Sequence, residues 1–136
     1  MAIQAKLTID GGSVYNIIDC NFEFLQSVDD TGKPVSRPQG GLITFITPTT
    51  SDDDLFFYKW MFNKTEVQSG TLSFTVYSND NKPYYKTVEF KNAYCIGLKD
   101  SFNRSDSNLM YTAVTISAQI INIGKLDQAV FNNEWT

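Results

Sequence analysis

The chain has 136 residues, of which 42% are hydrophobic and 19% charged, and 11 Lys and Arg against 15 Asp and Glu give a formal net charge of -4. That balance suits one domain with a packed core, excludes a disordered chain, and leaves no basic footprint for nucleic acid or an anionic membrane. With no histidine anywhere, it also excludes Ser-His-Asp and Cys-His nucleophiles and every histidine-containing zinc site.

The N-terminus shows no basic stretch leading into an apolar run, so no secretory signal peptide is expected. No apolar segment approaches the roughly 20 residues of a membrane helix. Ile3, Ala5, Leu7 and Ile9 alternate with Gln4, Lys6 and Thr8, the period of a strand with one buried face. Asp10-Gly11-Gly12-Ser13 suits a tight hairpin. The return strand is expected to place Ile18, Cys20, Phe22 and Phe24 on one face and Asp19, Asn21 and Glu23 on the other. Residues 26–41 are polar and rich in Gly and Pro, too long for a plain turn and of a length that is usually functional.

Leu42-Ile43-Thr44-Phe45-Ile46-Thr47 restarts a strand, which Pro48 ends. Ser51 is then expected to cap a helix, with Asp52, Asp53 and Asp54 at the positive end of its dipole. Its body, Leu55 to Phe62, is interrupted only by Lys59. Such a helix has no wet face of its own, which points either to cover from two directions, the chain's own barrel and a partner, or to a helix pressed into its own core with a few aromatics left exposed.

The second half reads as a meander. Leu72, Phe74 and Val76 alternate with Thr71, Ser73, Thr75 and Tyr77, and Asn79 to Pro83 makes a turn. Val88, Phe90, Tyr94, Ile96 and Leu98 are expected on one face of the next strand. Residues 100–108 read as a second polar loop. Met110, Thr112, Val114, Ile116, Ala118 and Ile120 are expected inward on the last long strand. Residues 124–136 show no clear pattern. Cys20 and Cys95 lie in strand-like segments and are expected as free thiols. Some seven strands, one helix and no strand–helix–strand alternation predict an all-β barrel of two packed antiparallel sheets with one flanking helix, in a single domain over residues 1–136.

Catalytic leads are weak. Asp52-Asp53-Asp54 is better explained by the helix dipole than by a cation. Asp19, Glu23 and Glu89 lie on polar strand faces rather than as a paired acid and base. Asn63-Lys64-Thr65 and Asn103-Arg104-Ser105 match a glycosylation pattern that a chain without a signal peptide would not use. No enzyme, cofactor or metal is expected.

Several ordered segments carry a resemblance. Asp29-Asp30-Thr31-Gly32-Lys33-Pro34, Ser36 and Gly40-Gly41-Leu42-Ile43 resemble the loop and strand start of a divergent branch of the Hcp/TssD tube proteins of type VI secretion. Leu55-Phe56 with Trp60-Met61, Phe90-Lys91-Asn92-Ala93-Tyr94, Thr115-Ile116-Ser117-Ala118-Gln119, Gly124 and Asn133-Glu134-Trp135 follow in the same order. The chain departs from better-known branches in carrying Ser51-Asp52-Asp53-Asp54 where they have Ser-Pro before the helix.

The resemblance implies a fold like a phage-tail tube protein. It implies hexameric rings that stack into a hollow tube, ejected by sheath contraction with a spike and effector proteins. Assembly would be cytoplasmic, with exit by ejection and without membrane insertion. The loop over residues 27–40 would reach the neighbouring ring, through Asp29, Asp30, Gly32, Lys33, Pro34 and Arg37. The helix residues Phe56, Phe57, Trp60 and Met61 are candidates for the contact between subunits. Thr71, Ser73, Thr75, Thr115, Ser117 and Gln119 are candidates for a lumen or solvent face. Two other readings stay open: the tube of a phage-tail-like particle, and a monomeric β-sandwich module binding ligand through Tyr77, Tyr84, Tyr85 and Tyr111.

Overall fold

The structure, a computed structural model, describes residues 4–36, 39–104, 109–124 and 128–133. Ile3, Arg37, Pro38, Ser105 and the Glu134-Trp135 pair lie outside the described residues. The first hairpin forms where its turn chemistry predicts. Strand β1 (Gln4–Ile9) and β2 (Val14–Asn16) pair antiparallel around Gly11, whose φ of 70° is reached most readily by glycine.

The return segment does not continue as one strand. After β2 the backbone turns away, and β3 (Asp19–Phe22) pairs with β4 (Leu42–Pro48) instead. Successive amides bond to opposite ends of the sheet: Ile17 N–H donates to Ala5 O at 2.9 Å, and Ile18 N–H to Ile46 O at 2.8 Å. The segment therefore bridges the two ends of a strongly curled sheet. The change of partner also slips the phase. Tyr15 and Ile17 enter the core while Ile18 is 55% exposed, a correction to the expected inward Ile18. Cys20 and Phe22 do pack against the core.

The sheet order is β2-β1-β5-β6-β7-β4-β3, with β5 at Gln68–Tyr77, β6 at Pro83–Asn103 and β7 at Leu109–Ile123. Strands β6 and β7 are long because each runs through both layers of the barrel. They bend together at Asn92, held at φ 55°. Before the bend Val88 and Phe90 point inward; after it Ala93 and Cys95 do, leaving Ile96 51% exposed. On β7 the same slip puts Ile121 in the core beside Ala118, in place of the expected Ile120. Because both strands slip at facing positions, Phe90↔Ile121 and Ala93↔Ala118 stay in one register. Gly70 allows the close crossing here, since a Cβ on it would sit 2.6 Å from Thr8 O.

Leu7, Leu72, Val88 and Phe90 from one layer and Ile43, Phe45, Val114 and Ile116 from the other fill a common core. Helix α1 (Phe56–Phe62) lies against β6. Ser51 does not cap it: the Ser51 carbonyl accepts from Asp54 N–H at 3.0 Å, so residues 51–54 form their own turn and the first helical turn holds no acid. Asp54 reaches the helix instead, its carboxylate accepting from Phe56 N–H at 3.1 Å. Residues 100–103, expected in a loop, extend β6 against β7. The patternless tail holds an extra strand, β8 (Ala129–Asn132), paired with the end of β7. Both cysteines are free thiols; burial pushes Cys20 and Cys95 up to about 11, which keeps them protonated and inert.

Candidate assembly interface

The polar stretch between β3 and β4 folds as an arm. Leu25 and Gln39 exchange backbone hydrogen bonds at 2.8 and 2.6 Å, Val35 N–H donates to Ser27 O at 2.9 Å, and Asp29 N–H to Lys33 O at 2.9 Å. At the tip, one Asp29 carboxylate oxygen accepts from the Thr31 hydroxyl at 2.7 Å and from the Thr31 and Lys33 amides at 2.9 and 3.0 Å. These donors, the Thr31 hydroxyl foremost, hold the Asp29 carboxyl below its usual 3.8. Gly32, at φ 86°, completes the turn.

This geometry divides the loop residues named from the sequence. All five described residues are exposed, but the Asp29 carboxylate and Gly32 are used within the tip, as is the Lys33 backbone, and Pro34 bridges Val28, which leaves the side chains of Asp30 and Lys33 in solvent; Arg37 lies outside the described residues. What the sequence reading missed is apolar. Leu25, Val28 and Val35 are each about 60% exposed (61%, 59% and 63%) along an arm read as polar. The signal was present as three isolated aliphatics among turn formers, but without the arm's register nothing set them on one element.

The helix behaves differently. Phe57 and Trp60, at 2% and 0% exposed, belong to the chain's own core, so of the four expected contact residues only the half-buried Phe56 and Met61 offer surface. The Trp60 indole N–H donates to Ala93 O at 3.1 Å, at the bend of β6. Tyr15 packs on Phe57 with ring centroids 4.6 Å apart, and its hydroxyl donates to Asp54 at 3.0 Å. The outward residues are Leu55, 42% exposed, and Phe62, 81% exposed. Beside them an open groove of about 630 Å³ runs between Met61 and Lys64 on one side and Tyr94 and Ile96 on the other.

The small polar residues lie outward on both layers. Thr71 and Ser73 flank the buried Leu72 on β5, facing Thr8 and Lys6 of β1, with Thr75 beyond them. Thr115 and Ser117 alternate with buried Val114 and Ile116 on β7, and the Thr115 hydroxyl meets that of Thr44 at 3.2 Å. Gln119 is engaged at the bend, accepting from the Asn92 amide at 2.9 Å. The two triplets therefore cover two different walls. The four tyrosines do not form one group: Tyr77, paired with Pro83, shares a face with Tyr85 across the β5–β6 ladder, Tyr84 points to the opposite face, and Tyr111 sits across from Ser101 at the far end of β6.

Among the described residues, no cluster of three or more Cys, Asp or Glu is placed to hold a metal ion. Nor is any helix among them long and apolar enough to cross a membrane.

Comparison with known proteins places this geometry. The sequence model of the family described as hemolysin coregulated protein Hcp (TssD) matches residues 1–136. Hcp1 from Flavobacterium johnsoniae is 25% identical, with a TM-score of 0.77 over 96% of this chain and 99% of its own. Hcp1 from E. coli EAEC 042 is 14% identical, with a TM-score of 0.67 over 100% of this chain and 99% of its own. A chain of the PVC sheath-tube complex, an extracellular contractile injection system, shares the fold with a TM-score of 0.51 and 14% identity, over 90% of this chain and 88% of its own. No curated protein matches the chain.

Proposed function

We propose, from the premise that the chain belongs to the hemolysin coregulated protein Hcp (TssD) family, that its copies close into six-membered rings which stack end to end through the arm. Family membership makes it a structural tube subunit of a secretion system. The observation that carries the stacking is the arm itself. It is hydrogen-bonded across its own two strands, yet leaves Leu25, Val28 and Val35 in water. Exposed apolar side chains grouped on one element mark a contact surface.

In this reading the rings form by a head-to-tail interface that closes, to which Leu55, Phe56 and Phe62 contribute from the helix. Thr71, Ser73 and Thr75 on one wall, or Thr115 and Ser117 on the other, face the aqueous lumen. Asp30 and Lys33 add polar contacts between rings. The stacked tube assembles in the cytoplasm, sits inside a contractile sheath, and leaves with a spike and effector proteins when the sheath contracts. The single domain extends over residues 1–136.

The test is to replace Leu25, Val28 and Val35 together by Ser and to compare the variant with the parent by sedimentation and electron microscopy. The expected result is intact rings, many times the 15.4 kDa protomer, that no longer stack. Normal tubes from the variant would remove the arm from the account. A parent that stays a protomer at high concentration would remove the ring and favour a monomeric module.

A further inference from the structure

The arm joins the barrel at a narrow root, and β8 lies across it. On one side of the root, the Phe24 ring packs against Phe131 of β8, centroids 5.2 Å apart, and against Phe22, 6.2 Å apart. Phe131 in turn rests on the core, so Phe24 is linked to the barrel through a row of rings. On the other side, Gly40 lies under Phe24 so closely that a Cβ there would come within 2.6 Å of the ring. Gly41, at φ 95°, follows. Its carbonyl accepts from Ala118 N–H at 2.7 Å, and a Cβ on it would meet the Asn133 side-chain amide at 2.8 Å.

Asn133 extends the β8–β7 ladder by one bond, its N–H donating to Gln119 O at 2.7 Å. Its side-chain amide approaches Gly40 O at 3.5 Å, a weak contact that still places it over the root. Both chain segments that enter the arm are therefore covered by β8 and Asn133, the residue that follows it. Of the side chains of β8, Phe131 alone is half-buried; Ala129, Val130 and Asn132 are exposed. The side-chain packing of this strand is thus directed at the arm root and the core beneath it.

We infer that β8 is a clasp that sets the direction of the arm, with Phe131 and Asn133 as positioning residues for the contact between rings. Without the clasp, the two adjacent glycines give the root more backbone freedom than any other residue pair would. The arm would then keep its own cross-strand bonds but sample many directions. The inference rests on the arm being the stacking element, so its test reads the root separately from stacking.

The experiment measures hydrogen exchange in assembled rings of the full chain, for Phe131→Ala, Phe131→Leu and Asn133→Ala. In Phe131→Ala, amides in residues 22–27 and 39–42 should exchange about tenfold faster, as the loss of one packed aromatic pair predicts, while β1 and β5 keep the parent rates. Phe131→Leu should restore much of the protection. Asn133→Ala, which leaves the core untouched, should show a smaller rise at residues 39–42 alone. Tube length should fall in the same order as root protection. Parent-like exchange at the root in both Ala variants would overturn the clasp. A faster root with tubes of normal length would leave the clasp standing and overturn the role of the arm in stacking.

Discussion

The helix and the arm both carry side chains that avoid water, yet the fold treats them in opposite ways. Helix α1 turns Phe57 and Trp60 into the core and fixes Trp60 to the bend of β6 by a buried hydrogen bond. The arm leaves Leu25, Val28 and Val35 exposed and satisfies only its own backbone. The difference lies in what each element can reach. A short helix beside a curved sheet has a wall to pack on, whereas the arm, bridged only to itself, meets none within the protomer. Hydrophobicity thus stabilises the protomer in the first case, and in the second it leaves an apolar surface that the protomer does not use.

The largest effect that sharpens this contrast is on the helix. Trp60→Ala should cost about 3–5 kcal/mol, through the cavity and the stranded Ala93 carbonyl. That is a large part of the roughly 5–15 kcal/mol available to a domain. Phe62→Ala, on the same helix but 81% exposed in the protomer, should cost the isolated protomer no more than about 0.5 kcal/mol. Guanidinium unfolding of each variant gives the comparison. Equal costs for the two would break the division of the helix into an inner and an outer face.

A smaller effect should appear in alkali, at the anchor between β2 and the helix. Burial, and then the hydrogen bond and charge of Asp54, push Tyr15 from 10.0 up to about 12. A raised phenol means that the fold favours its neutral form. The contribution is therefore full below pH 10 and is lost as the pH rises toward 12. Tyr58, raised chiefly by its hydrogen bond to Asp100, acts in the same direction. The informative quantity is thus the difference from Tyr15→Phe, in which the fall in unfolding midpoint between pH 10 and 12 should be shallower than in the parent. Identical slopes would show that Tyr15 does not couple the helix to pH.

Much of the barrel was readable from period two alone, because most strands keep one face buried for their whole length. The hidden parts were the places where a strand changes layer. At Ile17-Ile18 the backbone exchanges one partner strand for another, and at Asn92 a left-handed residue turns the strand; each shifts the inward set by one position. A single strand read alone shows such a slip only as an exposed Ile96 or a small Ala93 in the core, which looks like noise. The facing slip on β7 makes it coherent, and that is a pairing property. The helix was correctly located, but its inner face could not be separated from its outer one, since seven of its eight expected residues are apolar. The arm was set apart from a plain turn by its length, while its exposed aliphatics were overlooked among polar neighbours.

The smallest expected effect belongs to the arm tip, and it should run opposite in pH to the helix. Asp29 accepts three hydrogen bonds as a carboxylate, which lowers its pKa below 3.8. A lowered carboxylate contributes order that is complete above its unfolded value and disappears as the pH falls through the depressed one. Protonation costs Thr31 and Lys33 their acceptor, so their amides should lose exchange protection between about pH 4 and pH 2, the range below the ordinary aspartate value. Asp29→Asn keeps an oxygen acceptor and does not titrate, so its tip should be indifferent to that range. The barrel amides should not respond in step, since the tip bonds are fully exposed and lie within the arm. Acid should therefore loosen the tip, whereas alkali should loosen the helix anchor. If Thr31 and β5 lost protection together, the arm would not be the independent element that its own ladder of hydrogen bonds implies.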